Sequence, residues 1–553
     1  MALQSHAREL IRQGDALFDA RASMMDYWQD AAEQFYPERA DFTQETIDGD
    51  DLAGHLTSSV PILNRRDLGD LFSSMLRPWN LDWFEVVTGG NFDDTPADAK
   101  EWLEEKQATQ KNAMQDRVAG FDRAAKEADH GYVTFGQWPI KVEINYRDQA
   151  ILVRARHLKN VAWCDDFTGQ TYKVHERMRL SAWQLSQQFP EKKLHKEVLK
   201  ALVKDPQKTF ECRQVVLPVD AYDRLKPKDE QKFRKTKFVS LIVDVENEHL
   251  IEEAPSVTLK YVIPRWQTFS GSQYSYSPAT VAALPDARLF QQMTLSMLEA
   301  GEMAARPPVF IAEEIMRGDM NYFAGGVSSF PDKYAEKGMT PIHYLRSDKS
   351  GFGHGMEMLD RVRMVLRESW YLNRLRLPVQ GPEVTAYEFS ERMKEFVRDS
   401  MTLFAPAETE YNAPLCETIF EEMMAYGFMG PPDEIPDSLK GEDIKFRFRS
   451  PFRDAEDRKN TGSFMEGLGV IERTLAFDPG AGQMADLRKG LKTALEGIEW
   501  PQDWFFDEEE IEARTAALEE KQAMAEGMAA VGQGAAIAEQ AGNAGVAIKE
   551  AMA

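Results

Sequence analysis

Nine histidines and three cysteines are the side chains best suited to hold a metal or attack a substrate, and their spacing supports neither. Cys164, Cys212 and Cys416 lie far apart and are odd in number, which gives no disulfide framework and no zinc spacing. No two histidines stand at i, i+4. The sequence contains no GxxxxGK[ST] phosphate cradle, so it should not itself hydrolyse ATP. HExxH, CxxC and the GxSxG nucleophile elbow are equally missing. GFGHGMEM at 351–358 superficially resembles a nucleotide loop, but it follows no clear strand. A glycine hinge turning into a helix at 356 is the better reading. His157 and His175 are expected to be satisfied structural residues, and His354 a turn residue. The expectation is a protein that is not an enzyme and uses no metal or cofactor.

What remains is the chemistry of charge. The chain carries a formal −25 over 553 residues with pI ≈ 4.9. That balance argues against wrapping nucleic acid by phosphate neutralisation. Two blocks run against the background. Residues 191–237 hold 14 Lys/Arg and 8 Asp/Glu, whose dispersal suggests a solvated outer face. Residues 346–376 hold 7 Lys/Arg and 4 Asp/Glu, among them Arg361, Arg363, Arg367 and Arg374. Glu357 and Asp360 stand at helical spacing from Arg361 and Arg363 as ordinary partners.

Those arginines fall on one of two helices that organise the middle of the chain. The first follows Pro278 and Pro285 and runs through Leu289, Phe290, Met293, Met297, Ala300 and Ala304 to a stop at Arg306-Pro307-Pro308. The second repeats the stripe in Met358, Leu359, Val362, Val365, Leu366 and Leu372. A helix of 20 residues is about 30 Å long, so such a pair suits an assembly better than an enzyme pocket. Upstream, residues 3–38, 61–76 and 96–130 have helical period, and WNLDWFEVV suits a strand. From Gly131 to 270 alternating apolar runs predict a β-rich unit. IKFRFRSPF after 430 reads as a strand, and 454–525 returns to helical period. The last thirty residues, rich in Ala and Gly, bury little. No run of 18 apolar residues exists, so no membrane span is expected, and the N-terminus lacks the apolar core of a signal peptide. The expected compartment is reducing and intracellular.

Several segments stand in a telling order: YW…AAEQFYPERADF, NRRDLGDLFSSMLRP with WNLDWFEV, HGYVTFGQWPIKVE and VAWCDDFTGQTYKVHERMRLSAWQLSQQF. YSYSPATVAALPDARLFQQMTLSMLEAGEMAARPPVF and EVTAYEFSERM complete the set, which spans roughly 5–430. Together they resemble the portal, or head-to-tail connecting, protein of short-tailed double-stranded DNA bacteriophages. One departure is that the glycine usual before the Ser-Pro pair is displaced to Gly271, six residues before Ser277.

The resemblance implies a helix-rich α+β portal fold with β-rich wing, helical stem, clip and helical crown. Its expected boundaries are wing 1–272 (β-rich unit 131–270), first stem helix 273–306, clip 307–350 and second stem helix 351–376. A channel loop at 377–384, wing helices at 385–430, and a crown and tail at 431–553 complete the chain. It implies a ring of twelve copies at one capsid vertex, in the virion, assembled in the host cytoplasm. DNA would pass through without sequence specificity, driven in by terminase, with the major capsid protein and tail adaptors as further partners. Gly318, Gly325, Gly326 and Gly338 would belong to the clip. Pro378, Val379, Gln380, Gly381 and Pro382 would form the channel loop, and some of the four arginines would face the lumen. A capsid or scaffold-type assembly protein without a channel is the alternative, although such proteins are usually poor in tryptophan and this chain has 11. An enzyme with an unfamiliar site around Trp163–His175 is the third reading.

Overall fold

The computed structural model describes residues 2–47, 49–78, 82–89, 96–145, 148–223, 236–305, 309–311, 342–344, 350–375, 386–441 and 443–448, and in addition 464–465, 467–471, 473, 487, 490–491 and 494. The chain divides into compact units Met1–Phe452 and Arg453–Ala553. All the helices and strands from Ala2 to Phe448 belong to the first.

The N-terminal helical period is split in two, α1 (Ala2–Asp19) and α2 (Ala22–Phe35). Arg21 sits at the break and is buried, donating to the carbonyls of Leu158, Lys159 and Val161 at 2.7, 2.6 and 2.5 Å. A buried guanidinium needs several acceptors at once, and the kink supplies the angle that reaches them. After α3 (Val60–Leu76) and β1 (Phe84–Thr88) come α4 (Ala97–Gln115) and α5 (Phe121–Phe135). The expected change from helix to strand at Gly131 therefore comes later, since β2 (Ile140–Asn145) starts nine residues on. Gly131 is no helix stop: a Cβ there would lie 2.2 Å from the Trp138 ring, so the glycine makes room for the indole.

The β-rich unit is two antiparallel sheets. In the smaller, β2 pairs with β3 (Ala150–Ala155) and with β9 (Tyr261–Val262). The larger is a meander of β4 (Val161–Asp165), β5 (Thr171–Ser181), β6 (Thr209–Pro218), β7 (Phe238–Asp244) and β8 (His249–Ser256). Short helices α6 (Ala182–Gln188), α7 (Lys196–Lys204) and α8 (Val219–Asp223) fill its connections. Helix α6 opens on a capping box between Ser181 and Gln184. Helix α1 lies across the meander, burying Ala7 and Leu10 against Val215, Val239 and Leu241. Its Gly14 permits that closeness, because a Cβ would stand 2.6 Å from Arg213 Nη1 and 2.7 Å from His175 Nδ1.

Two long helices come next, α9 (Pro278–Ala305) and α10 (Ser350–Ser369), with the short pair β10 (Val309–Ile311) and β11 (Ile342–Tyr344) between them in sequence. Then come α11 (Ala386–Ala407), a π turn at Glu408–Asn412 and α12 (Ala413–Ala425). Strand β12 (Ile444–Phe448) returns to pair with β1, Phe84 opposite Phe448. The strand expected after 430 thus closes the same compact unit that begins the chain.

One aromatic core joins these elements, with Trp28, Trp138, Trp163, Trp370, Tyr132 and Tyr411 almost fully buried. Through it runs a buried ion pair. Arg77, just past α3, donates to Asp129 of α5 and to Asn412 Oδ1 at 2.7 Å, and stacks on Tyr411 with its centre 4.9 Å from the ring. Burial works against the Arg77 charge, but Asp129 beside it outweighs that and holds its pKa up. Removing one partner of such a pair leaves a stranded charge. Asp129→Ala should therefore cost about 3–5 kcal/mol, measured by urea denaturation, with Asp129→Asn milder because it keeps an acceptor for Arg77.

His157 is satisfied as expected, its Nδ1 accepting from the Lys159 amide at 3.0 Å. His175 is not: both ring nitrogens are buried without a hydrogen-bond partner. Burial, then the charges of Lys173 and Arg213, push its pKa down to about 3. The unfolded chain takes a proton near pH 6.5 that the folded chain refuses, so stability from this group is complete above that pH and lost as pH falls toward 3. The slope is up to about 1.4 kcal/mol per pH unit. Denaturation midpoints from pH 7 to pH 4 should fall less steeply for His175→Gln than for the natural chain.

Candidate functional site

The helix pair starts at a joint built from three segments. Ser277 precedes the first turn of α9. Its Oγ accepts from the Thr280 amide at 3.2 Å, a helix cap, and donates to the Val133 carbonyl at 2.6 Å. Thr280 Oγ1 donates to the Thr134 carbonyl at 2.6 Å. Both acceptors lie in the last turn of α5, where carbonyls have no partner within their own helix. Gly136 ends α5 in the left-handed region at φ 79°, and a Cβ there would stand 2.2 Å from the Tyr276 carbonyl carbon. Only glycine fits both the angle and the contact. Gln137 Oε1 accepts from the Ser275 amide at 2.9 Å.

Gly136, from a distant part of the chain, thus lies directly against the residues that precede the Ser277-Pro278 start. Gly271, at φ 86°, turns the hairpin ahead of the joint, and α9 starts at Pro278 itself. HGYVTFGQWPIKVE and YSYSPAT, far apart in sequence, are the two halves of one contact. Sequence reading missed Gly136, Ser275 and Gln137, although Ser-Pro is a visible start signal of cap plus first-turn proline.

A second clamp grips α9 further along. Gln291 Oε1 accepts from the amides of Thr57 and Ser58 at 2.9 and 2.8 Å, and its Nε2 donates to the Ser58 carbonyl at 2.8 Å. From there outward the helix leaves the core. Its buried residues end at Phe290, and on α10 Leu366 is the buried apolar residue among those described. The helices run antiparallel, with Trp370 at the far end of α10 back in the core against Phe35, ring centroids 5.0 Å apart. Gly355 lets them approach: a Cβ there would meet Met297 Sδ at 2.7 Å. The glycines at 351–355 are consequently helical, not a hinge, and Gly355 serves helix–helix contact. The turn comes after the helix, where Tyr371 takes a positive φ of 56°.

Both helices carry large apolar side chains in solvent. Leu298 is 59% and Met364 62% exposed, and Leu289, Leu295, Met303, Phe352, Met356, Met358 and Val365 are exposed too. On α10 they divide about the contact face. At about 100° per residue, Phe352 and Met356 lie to one side of the face holding Leu359, Val362 and Leu366, and Met358 and Val365 to the other.

The four arginines do not share a face. Arg361 and Arg363 point about 160° apart around α10, whereas Arg363 and Arg367 lie on one side. Arg374 is in the turn beyond the helix and stacks on Tyr371 at 5.8 Å. Among the described residues none of the four forms an ion pair, so Glu357 and Asp360 are not the partners their spacing suggests; His354 is near Glu357 instead, at 3.9 Å. Pro378, Val379, Gln380, Gly381 and Pro382 lie outside the described residues, as do Gly318, Gly325, Gly326, Gly338, the Arg306-Pro307-Pro308 stop and the Ala/Gly-rich tail. Burial pushes the Cys212 thiol up to about 12 and raises Cys416 as well, the wrong direction for a nucleophile. Among the described residues no cluster of three or more His, Cys, Asp or Glu could hold a metal, and no helix is long and apolar enough to cross a membrane.

Fold and site together define a structural class, an α+β body that holds a long helix pair at a fixed angle. Residues 7–505 match the family described as bacteriophage head to tail connecting protein, and the chain belongs to that family. It is 22% identical over 485 residues to a probable portal protein of Bordetella phage BPP-1, a match covering 85% of this chain and 84% of the relative. Solved structures similar to it include chains from the virion of a native gene transfer agent particle and from the neck of an empty one. Each is 8% identical, with 79% of this chain and 90% of the other covered at a TM-score of 0.33, a likeness too slight to carry an argument.

Ser277→Ala removes a cap and a buried tie to α5 together. The expected cost is about 1–2 kcal/mol, read from thermal or urea denaturation, and adding Thr280→Ala should roughly double it.

Proposed function

We propose that copies of this chain close side by side into a ring at one vertex of the capsid, and that double-stranded DNA passes through its centre during packaging and ejection. The observation that carries this reading is the helix pair, which exposes apolar side chains on two flanks that the rest of the described chain leaves bare. A chain of net charge −25 has little reason to hold nine large apolar residues in water unless another surface covers them. Flanks on two sides of one rod fit head-to-tail contacts with a neighbour on either hand, the arrangement that closes into a ring.

In this reading the helix pair is the stem, and the body before it, with the 385–430 helices, is the wing. The 307–350 segment with Gly318, Gly325, Gly326 and Gly338 is the clip that meets terminase and later the tail. The loop at 378–382 borders the channel, and residues beyond the compact unit that ends at Phe452 contribute the crown. Twelve copies is the number the family resemblance implies. The negative charge of the chain keeps DNA from sticking, and Arg363 and Arg367, sharing one side of α10, are the pair best placed to touch its backbone weakly. The assembly acts as a conduit and carries out no catalysis of its own.

Light scattering on the purified full-length chain should give the mass of a closed ring. Leu298→Glu with Met358→Glu should leave secondary structure unchanged, because both residues are already in solvent, but reduce the mass to that of a single chain. A variant that still assembles would remove the stem flanks from the interface, and a particle without an aperture would favour the scaffold-type alternative.

A further inference from the structure

Strand β5 outlasts its neighbour β4, whose pairing begins at Val161 opposite Glu176, while β6 stays with β5 to Ser181. Beside the uncovered stretch is a cavity of about 330 Å³ lined from β2, β3, β5 and α5. Six cationic side chains border it: Arg39, Lys141, Arg154, Arg156, Arg177 and Arg179. Against them stand three carboxylates, Glu127, Glu143 and Glu176, an excess of three positive charges in one hollow of an acidic protein.

The carboxylates are already engaged. Glu127 pairs with Arg39. Lys141 Nζ lies 2.8 Å from Glu143 and 3.2 Å from Glu176, and Arg156 Nε lies 2.8 Å from Glu176. Tyr261 also donates to Glu176, at 2.5 Å. Lys141 and Glu176 are nearly fully buried, so this part of the wall is fixed by packing. Two guanidiniums, those of Arg154 and Arg179, are left over. Arg177 is held elsewhere: it stacks on Phe18 at 3.8 Å and lies 3.6 Å from Asp15 and 4.0 Å from Glu211. Arg154 and Arg179 form no ion pair among the described residues.

Arginines on an open strand edge often serve only to stop edge-to-edge pairing. That role needs charge in solvent. It does not need arginines from β3 and β5 to converge on one polar hollow backed by a buried lysine.

We propose that this cavity binds a phosphate group, held by Arg154 and Arg179. Guanidinium forks match the oxygens of a phosphate in pairs, and a partly enclosed hollow with excess positive charge raises the local concentration of such an anion. The group could belong to a free phosphate or to the backbone of a nucleic acid, and the two are separable by experiment.

Pyrophosphate binding to the full-length chain is measured by calorimetry at constant ionic strength, with chloride as the reference anion. The natural protein binds, and Arg154→Gln with Arg179→Gln weakens binding by about tenfold or more, as loss of charge-assisted hydrogen bonds requires. Lys192→Gln with Lys193→Gln, on the dispersed basic stretch, leaves it within about twofold. Both arginines are exposed, and circular dichroism checks that the variant is folded. A short DNA duplex that displaces pyrophosphate from the natural protein identifies the backbone as the source. Failure to displace it identifies the free anion, and either result supports the phosphate chemistry. Absence of binding above chloride, equal binding by the arginine variant, or displacement by polyglutamate as effective as by phosphate would overturn the proposal.

Discussion

Ser277 and Gly136 meet at the foot of the Pro278–Ala305 helix, and the direction of the whole helix pair is set there. Beyond Phe290 the helix leaves the core with only its partner helix beside it, so its angle depends on how its first turns are held. Two hydroxyl groups occupy carbonyls at the end of the preceding helix, and a glycine lets the two backbones touch. The Gln291 clamp fixes rotation about the axis. In the proposed ring of identical rods this matters more than any single contact between copies, because a small error in angle would be repeated at every neighbour.

The body around the joint is correspondingly stiff in its chemistry. Arg77–Asp129, Arg21 with its three carbonyls, and Lys141–Glu176 each place a buried cation between elements distant in sequence. Buried charge contributes little net stability when paired, but it penalises every arrangement in which the pair is broken. Such pairs therefore specify one relative placement of α3, α5, the sheets and the π turn. His175, buried without partners under Gly14, works in the other direction and makes the seating of the N-terminal helix weaker in acid.

Much of this was legible in the sequence wherever a local rule governed it. The helix period, the Ser-Pro start and the alternation of the β-rich unit each follow from contacts within a few residues, and the long helix pair was found that way. Where the sequence misled, a distant contact had decided the outcome. Gly131 looked like the end of a helix but makes space for Trp138, and Gly355 looked like a hinge but makes space for Met297. The pairing of 84–88 with 444–448 brings together strands from opposite ends of the compact unit, and no local pattern encodes it. Arg361 and Arg363 were grouped because they are close in sequence, yet the helix sends them to different sides. The Gly136–Ser277 joint was visible only as two separate motifs, since neither one announces its partner.

The central claim is that the bare flanks of the helix pair are covered by neighbouring copies around an open axis. Single-particle images of the purified full-length chain test it most directly. The account predicts end-on views of a closed annulus with one fixed rotational symmetry, the helix pairs lining a bore wide enough for a duplex. Isolated chains, or a closed particle with the helix pairs pointing outward into solvent, would contradict it.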